Sequence, residues 1–221
     1  MNSSDLKGID MSEDVYRSPK KRGKITVFLS GRGSNFVAIH DKIRAGKINA
    51  DIDLVFSNKK EAPGLKIAQE SNLQTLSLNP KDFASREDYD QKIVEEIQKR
   101  DIDLICLAGY MRILTPLFCE ALRNKIINIH PALLPSFPGL HVQQKAIDWG
   151  VRYSGTTVHF VTPEVDMGPI IIQAVVPVLQ DDTEDTLSER ILKEEHKIYP
   201  EAVRLYFEGM LEVRDRRVFI L

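Results

Sequence analysis

The sequence predicts an α/β fold, with a mostly parallel twisted sheet, helices on both faces and an antiparallel strand pair in the C-terminal half. Three observations carry this. From residue 24 to about 149, short apolar runs alternate with longer helix-patterned ones, the signature of a parallel sheet covered on both faces. Two later apolar runs, 156–161 and 170–176, are separated only by a Pro/Asp/Gly loop. That loop is too short for a helical crossover, so the two strands should be antiparallel. No Pro/Gly/Ser-rich linker and no internal repeat interrupts residues 24–221, so they form one domain. The architecture expected is Rossmann-like.

Each element follows from its local pattern. Residues 25–30 (Ile-Thr-Val-Phe-Leu-Ser) read as a buried strand, and 53–57 as a second. Residues 75–78 form a weaker third, ended by Asn79 and Pro80. Residues 103–108 and 126–129 supply the fourth and fifth. In 87–100, Tyr89, Ile93, Val94 and Ile97 fall on one helical face. Ser85 stands three residues before Asp88, a capping box with Asp in place of Glu. Crossovers between the parallel strands should be right-handed. A long helix from about Thr183 to Gly209, bent at Pro200, is expected to end the core. Residues 1–23 are polar and mixed in charge and read as a disordered N-terminal extension, with order beginning at Lys24.

Composition narrows the function. With 43% hydrophobic and 28% charged residues the chain is ordinary globular protein, neither fibrous nor wholly disordered. Thirty Lys and Arg against 32 Asp and Glu leave a net charge of −2, so a nucleic-acid partner is not expected. Small acidic ligands need only a few local cations. Cys106 and Cys119 lie in apolar and amphipathic runs and are expected as buried reduced thiols, not as a disulfide framework. No apolar stretch approaches the roughly 20 residues of a membrane helix, and no secretory signal opens the chain. A soluble cytoplasmic protein is expected.

Four features carry chemistry. Ser30-Gly31-Arg32-Gly33-Ser34-Asn35 follows the first strand and opens a helical run. Its backbone N–H groups suit an anion such as phosphate, although a simple tight turn would use the same glycines. The third glycine of a dinucleotide fingerprint falls at Phe36, so a dinucleotide is not indicated. Asn128 and His130 close the fifth strand on one side of it, where open parallel sheets bind ligands. The competing reading is a strand-end histidine bonded to backbone. After them, Pro131 to Gly139 is apolar and rigid, a pocket wall more than a lid. Residues 162–169 form an acidic loop in which Asp166 matters only if folding brings it to His130; otherwise it is a turn residue. Glu195 falls on the apolar stripe of the last helix with Leu187, Ile191 and Ile198. An inward carboxylate needs a partner, either a ligand amine or a structural donor.

Together these segments resemble the phosphoribosylglycinamide formyltransferases, folate-dependent enzymes of purine synthesis. The resemblance runs from Lys24 to about Glu212. It rests on the 30–35 turn, on Leu107-Ala108-Gly109-Tyr110-Met111-Arg112-Ile113-Leu114 and on Asn128-Ile129-His130-Pro131. Gly155-Thr156-Thr157-Val158-His159-Phe160-Val161, Asp166-Met167-Gly168-Pro169 and Glu195-His196-Lys197-Ile198-Tyr199-Pro200 complete it. It implies a single formyltransferase domain over 24–221, which moves a formyl group from 10-formyltetrahydrofolate to the amine of glycinamide ribonucleotide. Gly33, Ser34 and Asn35 would hold the substrate phosphate and Glu195 the glycinamide end. Arg86, Met111, Arg112, Ile113, Leu114, Asn128, Val165 and Asp166 would bind folate. Asn128, His130 and Asp166 match the family's catalytic trio, with Asn128 and a protonated His130 meeting the oxyanion and Asp166 favouring the charged ring. Met167 stands where the family commonly has glycine, and Ala132 where it commonly has serine.

No metal is expected, because the five histidines form no metal-ligand spacing. The expected partners are small-molecule substrates, without nucleic acid or membrane, and the assembly a monomer or homodimer. A formyltetrahydrofolate hydrolase or another formyl-folate transferase is the alternative within the group. A non-catalytic nucleotide-binding module is the alternative from a different class.

Overall fold

A computed structural model describes residues 15–221. Its strands are β1 (Val15–Arg17), β2 (Gly23–Leu29), β3 (Ala50–Ser57), β4 (Thr75–Ser77), β5 (Leu104–Leu107) and β6 (Ile126–His130), then β7 (Tyr153–Phe160), β8 (Ile170–Pro177), β9 (Leu211–Arg214) and β10 (Arg217–Ile220). The helices are α1 (Ser34–Arg44), α2 (Pro63–Glu70), α3 (Arg86–Gln98), α4 (Pro116–Ala121), α5 (Val142–Asp148) and α6 (Glu184–Phe207). Together the strands form one sheet in the order β1-β9-β10-β8-β7-β6-β5-β2-β3-β4. Its half from β6 to β4 is parallel. β7 then runs antiparallel to both β6 and β8, so the expected late pair is present.

Alternation along the strands sends side chains to two cores. Ile25, Val27 and Leu29 of β2 join Cys106 and Ile127 in packing with α1, α2 and α6. Phe28 meets Phe56, Ile105 and Leu107 on the opposite face, under α3 and α4. These strands are largely apolar on both sides because both faces are covered. At the expected Ser85 cap the hydroxyl accepts the Asp88 N–H at 3.0 Å to start α3; Thr183 and Thr186, not anticipated, cap α6 reciprocally. α6 continues through Pro200, and the Tyr199 hydroxyl donates to the carbonyls of Leu107 and Ile127, 3.0 and 3.1 Å away. Cys106 and Cys119 are free and buried; burial pushes the Cys119 thiol up to about 11.

Two expectations need correction. The extension over 1–23 is not wholly disordered: Val15–Arg17 pairs antiparallel with β9 and Gly23 already belongs to β2, while residues 1–14 of that prediction lie outside the described residues. Tyr16 packs edge-on against Phe160 and shares a 2.8 Å hydroxyl contact with Tyr206, so β1 is held by distant aromatic surface. A three-residue strand is too short to display a periodicity. Nor does the last helix end the core. β9 and β10 form a hairpin that carries the sheet beyond β8, with the fully buried Glu212 carboxylate gripped by Arg17 and Arg214.

Candidate active site

A cleft of about 890 Å³ opens beside the ends of β5 and β6. The Gly109–Leu114 segment after β5, residues 139–143 at the start of α5 and the 161–166 loop after β7 wall it. All eight residues expected to bind folate, Arg86, Met111, Arg112, Ile113, Leu114, Asn128, Val165 and Asp166, lie on this wall, as does His130. Arg86 donates to the Ile113 carbonyl at 3.0 Å. The Arg112 guanidinium lies 4.8 Å over the Tyr89 ring, and its Nε is buried without a protein partner. Met111, Ile113, Leu140 and Val165 leave apolar surface exposed around the mouth.

His130 is 5% exposed, with both ring nitrogens turned to oxygen. Nε2 lies 2.9 Å from the Phe137 carbonyl, and Nδ1 lies 3.5 Å from Asp166 Oδ2. A doubly protonated ring satisfies both acceptors. The same Asp166 oxygen accepts the Gly139 N–H at 2.9 Å, so this carboxylate ties the 131–139 segment to the 161–169 loop. Phe137, His141 and Asp166 all have φ near +55°, a conformation costly for residues with a Cβ and concentrated in functional loops. The 131–139 segment is braced as a wall: the Leu134 N–H donates to Thr157 Oγ1, whose hydroxyl donates to the Ala132 carbonyl.

A second histidine, missed by sequence reasoning, completes the cluster. His159 faces Asn128 directly across the β6–β7 ladder. Its Nε2 lies 3.2 Å from the Asn128 amide nitrogen and 3.8 Å from Asp166 Oδ1. Burial pushes its pKa down, against the raising effects of its Phe160 bond and of Asp166. A polar residue within the apolar 156–161 run was the available signal, and it reads equally well as a core histidine.

The phosphate-type turn forms apart from the cleft. Gly33 adopts φ 78° at the N-cap of α1 with no side-chain cap, and the first turn carries no acid, leaving N–H groups open to an anion. A Cβ on Gly33 would lie 2.9 Å from the Gly64 Cα, so a side chain there would meet both strain and backbone. Ser34, Arg32 and His196 border a second, more open groove of about 710 Å³. Glu195 is 7% exposed and accepts from Asn35 Nδ2 at 2.7 Å. Burial pushes its carboxyl pKa up, and the Asn35 bond only partly offsets this. Asn35 Oδ1 is buried without a partner. Gly33, Ser34, Asn35 and Glu195 are not on the wall of the larger cleft. The two regions are tied through Ser30, whose Oγ accepts the Met111 N–H at 2.9 Å and whose N–H donates to Gly109. Met167, exposed and bonded back to Glu164, also lies off the cleft wall. Among the described residues, no group of three or more His, Cys, Asp and Glu has metal-holding geometry.

Residues 23–203 match the model of the family described as formyl transferase. This chain belongs to the formyl transferase family. It is 42% identical over 196 residues to the phosphoribosylglycinamide formyltransferase of Escherichia coli (strain K12), covering 89% of this chain and 92% of that protein. It is 46% identical over 192 residues to the trifunctional purine biosynthetic protein adenosine-3 of Drosophila melanogaster; 86% of this chain matches, but only 14% of that protein's length. Among solved structures, glycinamide ribonucleotide transformylase 1 from Symbiobacterium toebii superposes with a TM-score of 0.89 at 48% identity, covering 90% of this chain and 94% of that one. The family match stops before β9 and begins after β1, so the strands that extend the sheet lie outside it.

Proposed function

We propose that this formyl transferase moves the formyl group of 10-formyltetrahydrofolate to the amine of glycinamide ribonucleotide, as a phosphoribosylglycinamide formyltransferase of purine synthesis. The observation that carries the reading is the approach of His130 and Asp166, 3.5 Å apart from separate elements, beside Asn128 in an apolar-rimmed cleft. Folate takes the cleft against Arg86, Met111, Arg112, Ile113, Leu114, Asn128, Val165 and Asp166. The ribosyl phosphate takes the Gly33-Ser34-Asn35 turn. Glu195 Oε1, the oxygen not held by Asn35, takes the glycinamide end.

In the reaction the amine nitrogen attacks the formyl carbon. A C–N bond forms, the carbonyl pair moves onto oxygen, and the bond to N10 of the folate then breaks. One proton leaves the attacking amine and one reaches N10. The Asn128 amide and protonated His130 donate to the oxyanion, and donors preorganised at such a position dominate acyl-transfer catalysis. With Nδ1 turned to Asp166, Nε2 is the donor left for substrate, so it exchanges the Phe137 carbonyl for the developing alkoxide. Asp166 holds the ring and balances its charge. The buried free thiols suit a reducing, cytoplasmic compartment, and the partners are small molecules, with the chain a monomer or homodimer. Incubation with glycinamide ribonucleotide and 10-formyltetrahydrofolate should yield the formylated nucleotide. Formate released without any amine would instead make the protein a hydrolase.

A further inference from the structure

We propose that His159 is a positioning residue: protonated on Nδ1 alone, it anchors one hydrogen of the Asn128 amide and leaves the other for the cleft. What Asn128 does with that hydrogen rests on the formyl-transfer reading. The placement of the proton does not.

The ring's hydrogen bonds decide its form. Nδ1 lies 2.8 Å from the Phe160 carbonyl. A carbonyl only accepts, so Nδ1 carries a hydrogen. The ring is 2% exposed, and burial disfavours a second proton. Nε2 therefore keeps its lone pair and needs a donor. Asn128, 3.2 Å away, can supply one only by turning its NH2 toward the ring. The orientation of an amide, ambiguous from shape alone, is thus set by its neighbour. The NH2 group has two hydrogens, and one is consumed at Nε2. Ladder pairing of Asn128 with His159 holds both backbones in place, so the amide plane has little freedom left.

Two titratable neighbours act on this lock. Asp166 Oδ1, 3.8 Å from Nε2, favours a second proton, and His130 opposes it. Were Nε2 protonated, two donors would face each other and the Asn128 amide would turn over. His159 thereby determines which end of Asn128 carries its hydrogens.

The imidazole ¹⁵N spectrum of the full chain tests the proton directly, with the His159 signals assigned by through-bond correlation to its own backbone. A protonated Nδ1 and an unprotonated Nε2 at neutral pH are expected; a proton on Nε2 overturns the proposal, and this measurement stands even if a variant fails to fold. Kinetics test the consequence. His159→Asn keeps a polar group near Nδ1 but removes the acceptor. It should lower kcat by on the order of 10²-fold, the scale of a misplaced catalytic group, with little change in either KM. His159→Gln places an amide oxygen near Nε2 and should restore most of the rate. In an Asn128→Ala background the His159→Asn loss should vanish. Independent, multiplying losses would overturn the role. If the wild-type chain formylates no glycinamide ribonucleotide, the formyl-transfer reading fails while the spectrum still decides the tautomer.

Discussion

His130 is held at both nitrogens, by the Phe137 carbonyl and by Asp166, and on the proposed mechanism its removal takes away a donor aimed at developing charge. His130→Ala is expected to lower kcat by at least about 10²–10³, and Asp166→Asn by a similar factor, in a steady-state assay of formylated product. Near-wild-type turnover in either variant would refute their assignment. Glu195 makes a different prediction. Its folded carboxyl has a raised pKa, caused first by burial. The folded chain thus binds this proton more tightly than the unfolded one, and stability falls as pH rises above the usual carboxylate range. Glu195→Gln, which can still accept from Asn35, should therefore raise Tm at pH 7–8 and flatten its pH dependence. It should also raise the KM for glycinamide ribonucleotide. A variant that melts lower than wild type at pH 8 would contradict the first part. At this scale the motifs were informative: Asn128 and His130 announce themselves as polar residues ending an apolar strand. His159, one of several polar side chains along its strand, does not.

Among the elements, α6 packs on β7 and β8 and also reaches the parallel half of the sheet. The fully buried Tyr199 reaches from it to carbonyls on β5 and β6, the two strands whose ends border the cleft. Tyr199→Phe leaves this contact unmade and should cost about 1–3 kcal/mol. For a chain of this size that is a loss of several degrees in Tm, measurable by thermal unfolding; an unchanged Tm would mean the hydroxyl adds nothing. Strands and helices between β2 and α6 follow from period 2, period 3.6 and capping residues, which act within a few positions. β1 and the β9–β10 hairpin do not; they pair with partners set by the tertiary fold, β1 with β9 and β10 with β8.

For the molecule as a whole, those late strands widen the sheet past β8. Glu212, buried between Arg17 and Arg214, joins the first described strand to the last hairpin. Deleting residues 1–19 would leave that carboxylate with one fewer partner and uncover the Tyr206 face. Such a truncation should lower Tm, and full retention of the wild-type melting curve would show that β1 contributes no stability. The broken expectation of disorder has the same origin: a polar, charged stretch looks solvated until a buried opposite charge over 190 residues away accounts for it.

Apolar periodicity and turn residues by themselves determined the α/β class and the parallel succession of strands, because these depend on neighbours close in the chain; the folate-side residues came from the family resemblance of the motifs. Only the tertiary structure decided which distant groups meet. Asp166 comes to His130 because β7 turns back along β6; His159 faces Asn128 through the same register; Asn35, from α1, gives Glu195 its donor. Buried polar groups must find partners wherever the fold brings them, and that pairing is set by packing between elements, which no local pattern records.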